Sequence, residues 1–530
     1  MGRVETQAGT QPNRWWESPR YAVALVLASL VPLLWPDIAP LVDLPGHMAR
    51  YRVQLEIDTN PVLAGFYDFQ WQLIGNLGID LLIEPLAPLL GLEGAVKLIV
   101  MSIPALTTAG LLLIARVVHG RLPPTAPLAL PFAYSFPFQF GFVNFCLAIA
   151  LSLVAFALWR WLAIRRRFWL RAAIFVPLSM ALWVVHTFGW GVLGVLAYAA
   201  EMVRHRDEGK SWIKSWFQAG FDCAPLIPPM ILMILWRSGQ VSGQTFDWFK
   251  WWTKFRWFYM TLRDRWELFD IGSVVFLSAV VVVAAGFALF RAKVGFSRML
   301  AVFAVFLTVV FLCLPRVVFG SAYADMRLAP FAFAMALLAI RFAPDFSGKA
   351  LKWIAVASLA FFLLRTGATT VSYWMYDRDY DRQLQALDHV PEGARLVTFV
   401  GTSCSPPWAM SRVEHIAGIA TVRNRAFAND QWSMVGAQML TADFPEAGRF
   451  ARDPSQMVTG RRCRGEWWWP LDNSLYWLPR QAFDYVWLVH PPAHDPALLA
   501  GLTPIWRSGT SVLYQVTDRI APHERRPEVE

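Results

Sequence analysis

Asn76-Leu77-Gly78-Ile79-Asp80-Leu81-Leu82-Ile83-Glu84-Pro85-Leu86-Ala87-Pro88-Leu89-Leu90-Gly91 is the stretch on which the arrangement of the whole chain turns. Read as a bilayer crossing, it inverts every later loop and puts the basic clusters on the outer face. It is short for a hydrocarbon core of about 30 Å. It also carries Asp80 and Glu84 one helical turn apart on one face. A helix lying in the interface fits it better than a crossing.

The surrounding chain makes that choice matter. Of 530 residues, 56% are hydrophobic and only 16% charged, with 27 Trp and 38 Phe, so this is a membrane protein and not a soluble domain. Apolar runs occur near 21–36, 97–115, 124–140, 143–163, 169–186, 187–203, 222–237, 271–290, 298–315, 327–341 and 351–368. Basic loops at Arg116/His119/Arg121, Arg165-Arg166-Arg167, Arg204-His205-Arg206, Arg291/Lys293/Arg298 and Arg341/Lys349/Lys352 all belong on the cytoplasmic side. Those loops account for the net charge of +10 and leave no case for nucleic acid as a partner. The expectation is an all-α polytopic membrane protein of about eleven spans, retained in a bacterial inner membrane, with a cytoplasmic N-terminus (1–20).

The spans and their loops fill residues 21–375. Residues 37–96 then form one long first outer loop, and 238–270 a second, dense in aromatic and basic residues from Phe246 to Trp257 and suited to lie among headgroups. From about 376 to 520 the pattern changes to a periplasmic α/β domain: a helix from Asp377 to His389, strands at 395–400 and 483–489, and a hairpin around Ser508-Gly509-Thr510. The tail 521–530 is polar and reads as disordered. Cys146, Cys223 and Cys313 read as packing residues, whereas Cys404 and Cys463 can pair if their region is periplasmic.

Chemistry is expected in the first loop. Asp37 to Arg52 places a carboxylate, an imidazole and two guanidinium groups just beyond the first span, where ionisable groups are costly. Asp43 can serve as general base; it also precedes Leu44-Pro45, an ordinary helix start, so capping is the alternative. His47, four residues on, shares its face and would orient the carboxylate, bind phosphate or help hold a metal. Arg50 would contact phosphate. Asp80 and Glu84 form a second acidic pair, in which Glu84 would bind substrate. Asp80 would meet Asp43 across the loop, the two acids acting either as base and divalent-metal ligand (Mg or Mn) or as a base kept ionised by nearby guanidinium groups. The alternative is a solvated polar face of an interfacial helix. Arg316, Asp325, Arg327 and Arg365 lie at outer span ends, and His186 at an outer turn. Several guanidinium groups along one leaflet fit a bound lipid phosphate.

This order of parts resembles the GT-C superfamily of membrane glycosyltransferases: a first span, a long outer loop headed by an acid, many further spans and an external C-terminal domain. Asp43, in Val42-Asp43-Leu44-Pro45-Gly46-His47, sits where that superfamily carries its catalytic acid, and Tyr67-Asp68-Phe69-Gln70-Trp71 through Asp80 is similar to first-loop sequence of its bacterial members. The chain departs from the usual acidic pair in having Asp-Leu-Pro. Trp467-Trp468-Trp469 is followed by Pro470 and not Asp, which argues against protein N-glycosylation. The resemblance implies transfer of a sugar from a polyprenyl-phosphate donor to an outer acceptor glycan, lipid or protein, with inversion. Asp43 would be the base; Arg327 and Arg365, with Arg316 and His186, would hold the donor phosphate; and Asp80 and His47 would support the base or bind metal. The alternatives are a lipid or polysaccharide transporter, a polymerase, and a non-catalytic scaffold.

Overall fold

The computed structural model describes residues 14–238, 244–290, 293–318, 321–405, 407–432 and 438–524. Arg291 of the basic loops, most of the N-terminal segment and residues 525–530 of the tail lie outside the described residues. Each apolar run is helical. Five helices are long and apolar enough to cross a membrane: Leu92–His119, Val143–Ile164, Phe168–Val185, Glu267–Leu289 and Gly348–His389. A pair bent by 48°, Trp212–Asp222 and Ala224–Ile234, adds a sixth if it is one span. Pro19–Leu33, Arg298–Cys313 and Ala329–Leu338 are apolar but shorter. The run at 124–140 is a 3-10 helix, Ala126–Tyr134, followed by the short helix Phe136–Phe140. Pro127, Pro131 and Pro137 remove amide donors there and prevent one continuous helix, and the segment is buried almost throughout.

The deciding stretch forms a 13-residue helix, Gly78–Leu90, about 20 Å long at the usual rise and too short to cross. Gly91, at φ 72°, breaks it before Leu92–His119 begins. Its buried face carries Gly78, Ile79, Asp80 and Ile83, while Leu81, Leu82, Leu89 and Leu90 are exposed. Two glycines dock its entrance against the turn between Phe168–Val185 and Thr187–Asp207. A Cβ on Gly75 would meet Thr187 Oγ1 at 2.1 Å, and one on Gly78 would meet Val185 at 2.6 Å.

The C-terminal part holds a six-stranded mixed sheet: β1 (Leu396–Thr402), β2 (Met457–Thr459), β3 (Trp469–Pro470), β4 (Tyr485–Val489), β5 (Leu502–Ser508) and β6 (Ser511–Val516), in the order β3-β2-β1-β4-β6-β5. β1 runs parallel to both β2 and β4, and β5–β6 is the expected hairpin. The boundary expected at 376 falls inside a single 37-residue helix, Gly348–Leu384, so the last apolar run and the outer helix are continuous. The first outer loop is also built into this part. Its strand Tyr67–Phe69 pairs antiparallel with Leu440–Ala442. Val53, Leu63 and Tyr67 share a core with Val397, Phe399 and Phe427. Gly418 lies so close to the helix Leu44–Glu56 that a Cβ there would meet Pro45 O at 2.5 Å. Cys404 and Cys463 form a disulfide.

Candidate active site

Asp43 stands at the N-cap position of Leu44–Glu56, but its side chain accepts no capping hydrogen bond. Its backbone is held firmly. Its amide donates to Phe140 O at 3.0 Å, its carbonyl accepts from the His47 amide at 3.1 Å, and Gly141, at φ 100°, lets the chain pass where a Cβ would lie 2.8 Å from Asp43 N. A fixed backbone thus presents a partly buried carboxylate that caps no helix and, among the described residues, forms no ion pair.

The groups around it come mostly from the C-terminal part. Burial pushes the Asp43 carboxyl up to about 7; His415 and Arg327 pull it down, and Glu414 and Asp453 push it further up. Glu414 is likewise raised to about 7, first by burial, and among the described residues it too carries no ion pair. His415 is pushed down by burial, but Asp453, Asp430, Asp43 and Glu414 together hold it above its ordinary value. Its Nδ1 lies 3.0 Å from Asp430 O and 3.8 Å from Asp430 Oδ2. Trp432 packs on both imidazoles, 4.4 Å from His415 and 5.1 Å from His47 between ring centres. His47 is held well below its ordinary value by burial, then Arg50 and His415, so it is neutral at pH 7, and among the described residues its Nδ1 has no hydrogen-bond partner. Carboxylates near 7 suit proton transfer at physiological pH.

Arg327 acts on Asp43 electrostatically. It is buried, its guanidinium lies 4.2 Å above the Phe142 ring, and it makes only long contacts to His186 Nε2 (3.4 Å), Ser321 Oγ and Ala322 O (both 3.3 Å). Among the described residues no carboxylate forms an ion pair with it. So Asp43, His47, His186 and Arg327 are brought together.

The other expected residues are engaged elsewhere. Asp80 pairs with Arg50 at 2.8 Å, both buried, and accepts from Asn144 Nδ2 at 3.2 Å. Gln54 Nε2 ties Asp80 O (2.9 Å) to Glu84 Oε1 (2.6 Å). These bonds fasten Gly78–Leu90 to Leu44–Glu56, so Arg50 and Asp80 brace the loop, and the expected Asp43–Asp80 metal pair does not fit. Arg365 is neutralised by Asp270 at 2.7 Å and donates to Leu262 O at 2.9 Å. Asp325 pairs with Lys254 at 3.2 Å, inside the aromatic helix Trp251–Tyr259. Arg316 is half-buried, 3.8 Å from Asp247 and over the Tyr323 ring at 5.1 Å. One group of metal-ligating type, Glu201, His205 and Asp222, has its ligand atoms within 4.8 Å of one another, but Arg171 and Arg204 already occupy its carboxylates. A separate cleft of about 190 Å³ is lined by residues including Asp37, Asp377, Asp381, Asp388 and Arg423, and not by Asp43.

Glu414, His415, Asp430, Trp432 and Asp453 did not figure in the sequence reading. Their signal was present: Arg412-Val413-Glu414-His415-Ile416 sets three ionisable groups between apolar ones, the feature that singled out the first loop. No protein-family model, curated protein or solved structure matches this chain.

Proposed function

We propose that this membrane protein is a glycosyltransferase that moves a sugar from a polyprenyl-phosphate donor to an acceptor on the outer face, in the manner of the GT-C superfamily its layout resembles. The observation that carries the reading is the pairing of two uncompensated charges. Among the described residues the Asp43 carboxylate has no ion pair, and the buried Arg327 guanidinium, which acts on it electrostatically, has no carboxylate of its own. A buried guanidinium without an anion is costly, and a phosphate would supply the missing charge.

In this reading Asp43 takes the proton from the acceptor hydroxyl or amine as that atom attacks the anomeric carbon. The bond to the lipid phosphate breaks, and its electron pair leaves with the phosphate. Arg327, with His186 beside it, stabilises the charge the phosphate gains. His47 positions Trp432 and the first turn of its helix. Arg365 and Asp80 take no part, and no step is routed through a metal. The site faces the periplasm of a bacterial inner membrane, about eleven segments cross or enter the bilayer, and the Cys404–Cys463 disulfide suits that compartment. A reporter fused after Glu530 would be active only in the periplasm; cytoplasmic activity would refute this topology. Asp43→Asn and Asp43→Ala, expressed at wild-type level in a deletion host, test the chemistry. Mass spectrometry of surface and lipid-linked glycans should match the deletion, and wild-type glycans would remove Asp43 from the reaction.

A further inference from the structure

The segment after β1 shows a pattern that packing alone does not explain. Arg412 is almost wholly buried: its Nη1 donates to Gln139 O, its Nη2 donates to Gln139 Oε1 at 2.9 Å and reaches Asp264 at 3.3 Å, and its carbonyl accepts from Tyr380. His415, also buried, is held at Asp430. The C-terminal region is thereby pinned on either side of Glu414, to Phe136–Phe140, to the loop before Glu267 and to its own core. Glu414, between these two anchors, has a carboxylate that meets no hydrogen-bond donor and no cation among the described residues. A side chain fixed by its neighbours and left without a partner is available to a ligand.

Resting on the function proposed above, we propose that Glu414 is the acceptor-binding carboxylate, and that the acceptor subsite is built by the C-terminal region with Trp432 as its wall. It would take a neutral or cationic acceptor rich in hydroxyl or amino groups and exclude one carrying phosphate or carboxylate. Four carboxylates act together on His415, namely Asp453, Asp430, Asp43 and Glu414, whereas the cations near the open carboxylates are His415 and Arg327, with Arg412 and Arg263 already engaged. Donors on the acceptor would hydrogen-bond to Glu414 while its nucleophilic atom faces Asp43. Trp432, partly exposed and braced by two imidazoles, offers a flat apolar face against which a sugar ring can lie.

The test compares Glu414→Gln, Glu414→Asp, Asp43→Asn and Arg327→Ala in full-length protein. In a deletion host, Glu414→Gln should cut acceptor modification at least tenfold while lipid-linked donor accumulates, and Glu414→Asp should restore part of it. Purified Glu414→Gln should bind polyprenyl monophosphate within about twofold of wild type and melt no lower, while Arg327→Ala should lose at least tenfold in that binding. Full modification by Glu414→Gln, with Asp43→Asn inactive, would overturn the acceptor role and leave the proposed function standing. Loss of polyprenyl-monophosphate binding or a lowered melting temperature in Glu414→Gln would also overturn it, by marking Glu414 as structural. Full modification by Asp43→Asn would overturn both.

Discussion

Two regions of this molecule bury charge in opposite ways. Around Asp264, Asp270 and Asp325, each carboxylate has its own cation, Arg412, Arg365 and Lys254, and further donors: Ser372 Oγ at 2.7 Å from Asp264, Trp408 Nε1 at 2.8 Å from Asp270, and the Met326 amide at 2.9 Å from Asp325. Around Asp43, carboxylates outnumber cations, and among the described residues three of the four, Asp43, Glu414 and Asp453, carry no ion pair. The first arrangement stitches residues 254–270, the loop before Leu328, the last long helix and the C-terminal part together. The second is expensive to the fold and is retained where chemistry is expected. Paired charge marks structure here, and unpaired charge marks the site.

The largest expected effect falls on the unpaired side. Asp43→Asn should lower the transfer rate about 10²–10⁴-fold, the usual range for loss of a general base, without lowering the melting temperature. An equal loss of rate and of stability would place Asp43 with the structural charges.

On the paired side, the comparison is broken by removing one partner. Asp270→Asn leaves Arg365 buried without its anion, and Lys254→Met does the same to Asp325; each should cost about 3–5 kcal/mol of stability. Thermal melts in detergent or nanodiscs measure this. The fraction that stays folded should keep its polyprenyl-monophosphate affinity, because neither pair faces Arg327. Unchanged melting would mean that these pairs are compensated by contacts other than the ones described.

Protonation sharpens the contrast. Asp43 in the fold titrates near 7, against 3.8 for an unperturbed aspartate. As a base it must be ionised, so the transfer rate should rise as pH climbs through about 7. Stability should move the other way. Below 3.8 the carboxyl is protonated in both states; between 3.8 and about 7 the unfolded chain ionises first, so stability falls with rising pH and levels off above 7. The whole effect is at most roughly 4 kcal/mol, reduced by the partial exposure of the group. Asp43→Asn should therefore melt higher than wild type at pH 8 and equally at pH 3.5. A variant that melts lower at pH 8 would show that the carboxylate makes a stabilising contact.

The same contrast explains what the sequence disclosed. Asp43 stood out because a carboxylate just beyond an apolar run is costly, and the helix start at Leu44-Pro45, which also made capping the alternative, set its position. The short helix at Gly78–Leu90 was legible from length, Cys404 with Cys463 from their shared polar region, and the β5–β6 hairpin from Ser508-Gly509-Thr510. Pairing was not legible. Arg365 and Asp270 are 95 residues apart in the chain, and Arg50 and Asp80 are joined only once two helices pack, so each looked free. Glu414 and His415 were hidden for the converse reason. They lie 371 and 372 positions beyond Asp43 and reach it only because Tyr67–Phe69 pairs with Leu440–Ala442 and Gly418 seats on Pro45. Composition around 376 suggested a boundary, but the backbone there is one unbroken helix, and the outer part is completed by the first loop.

The smallest effect tests whether pairing or burial makes the structural charges matter. Arg423 bonds Glu93 in a forked pair, at 2.9 and 3.0 Å, where Arg365 meets Asp270 through a single bond at 2.7 Å, but the Arg423 and Glu93 side chains are 39% and 32% open to solvent. It joins the helix Gly418–Asn424 to the start of Leu92–His119, whereas Gly418 seats the same helix on Pro45 of Leu44–Glu56. Water and salt screen it, and ordering two long side chains offsets most of the attraction, so Arg423→Ala should cost about 0–1 kcal/mol. The shift in melting temperature should shrink further in high salt, whereas that of Asp270→Asn should not. A cost above about 2 kcal/mol for Arg423→Ala, beyond what exposed pairs give, would mean that contact across this interface, and not burial, sets the worth of an ion pair in this fold.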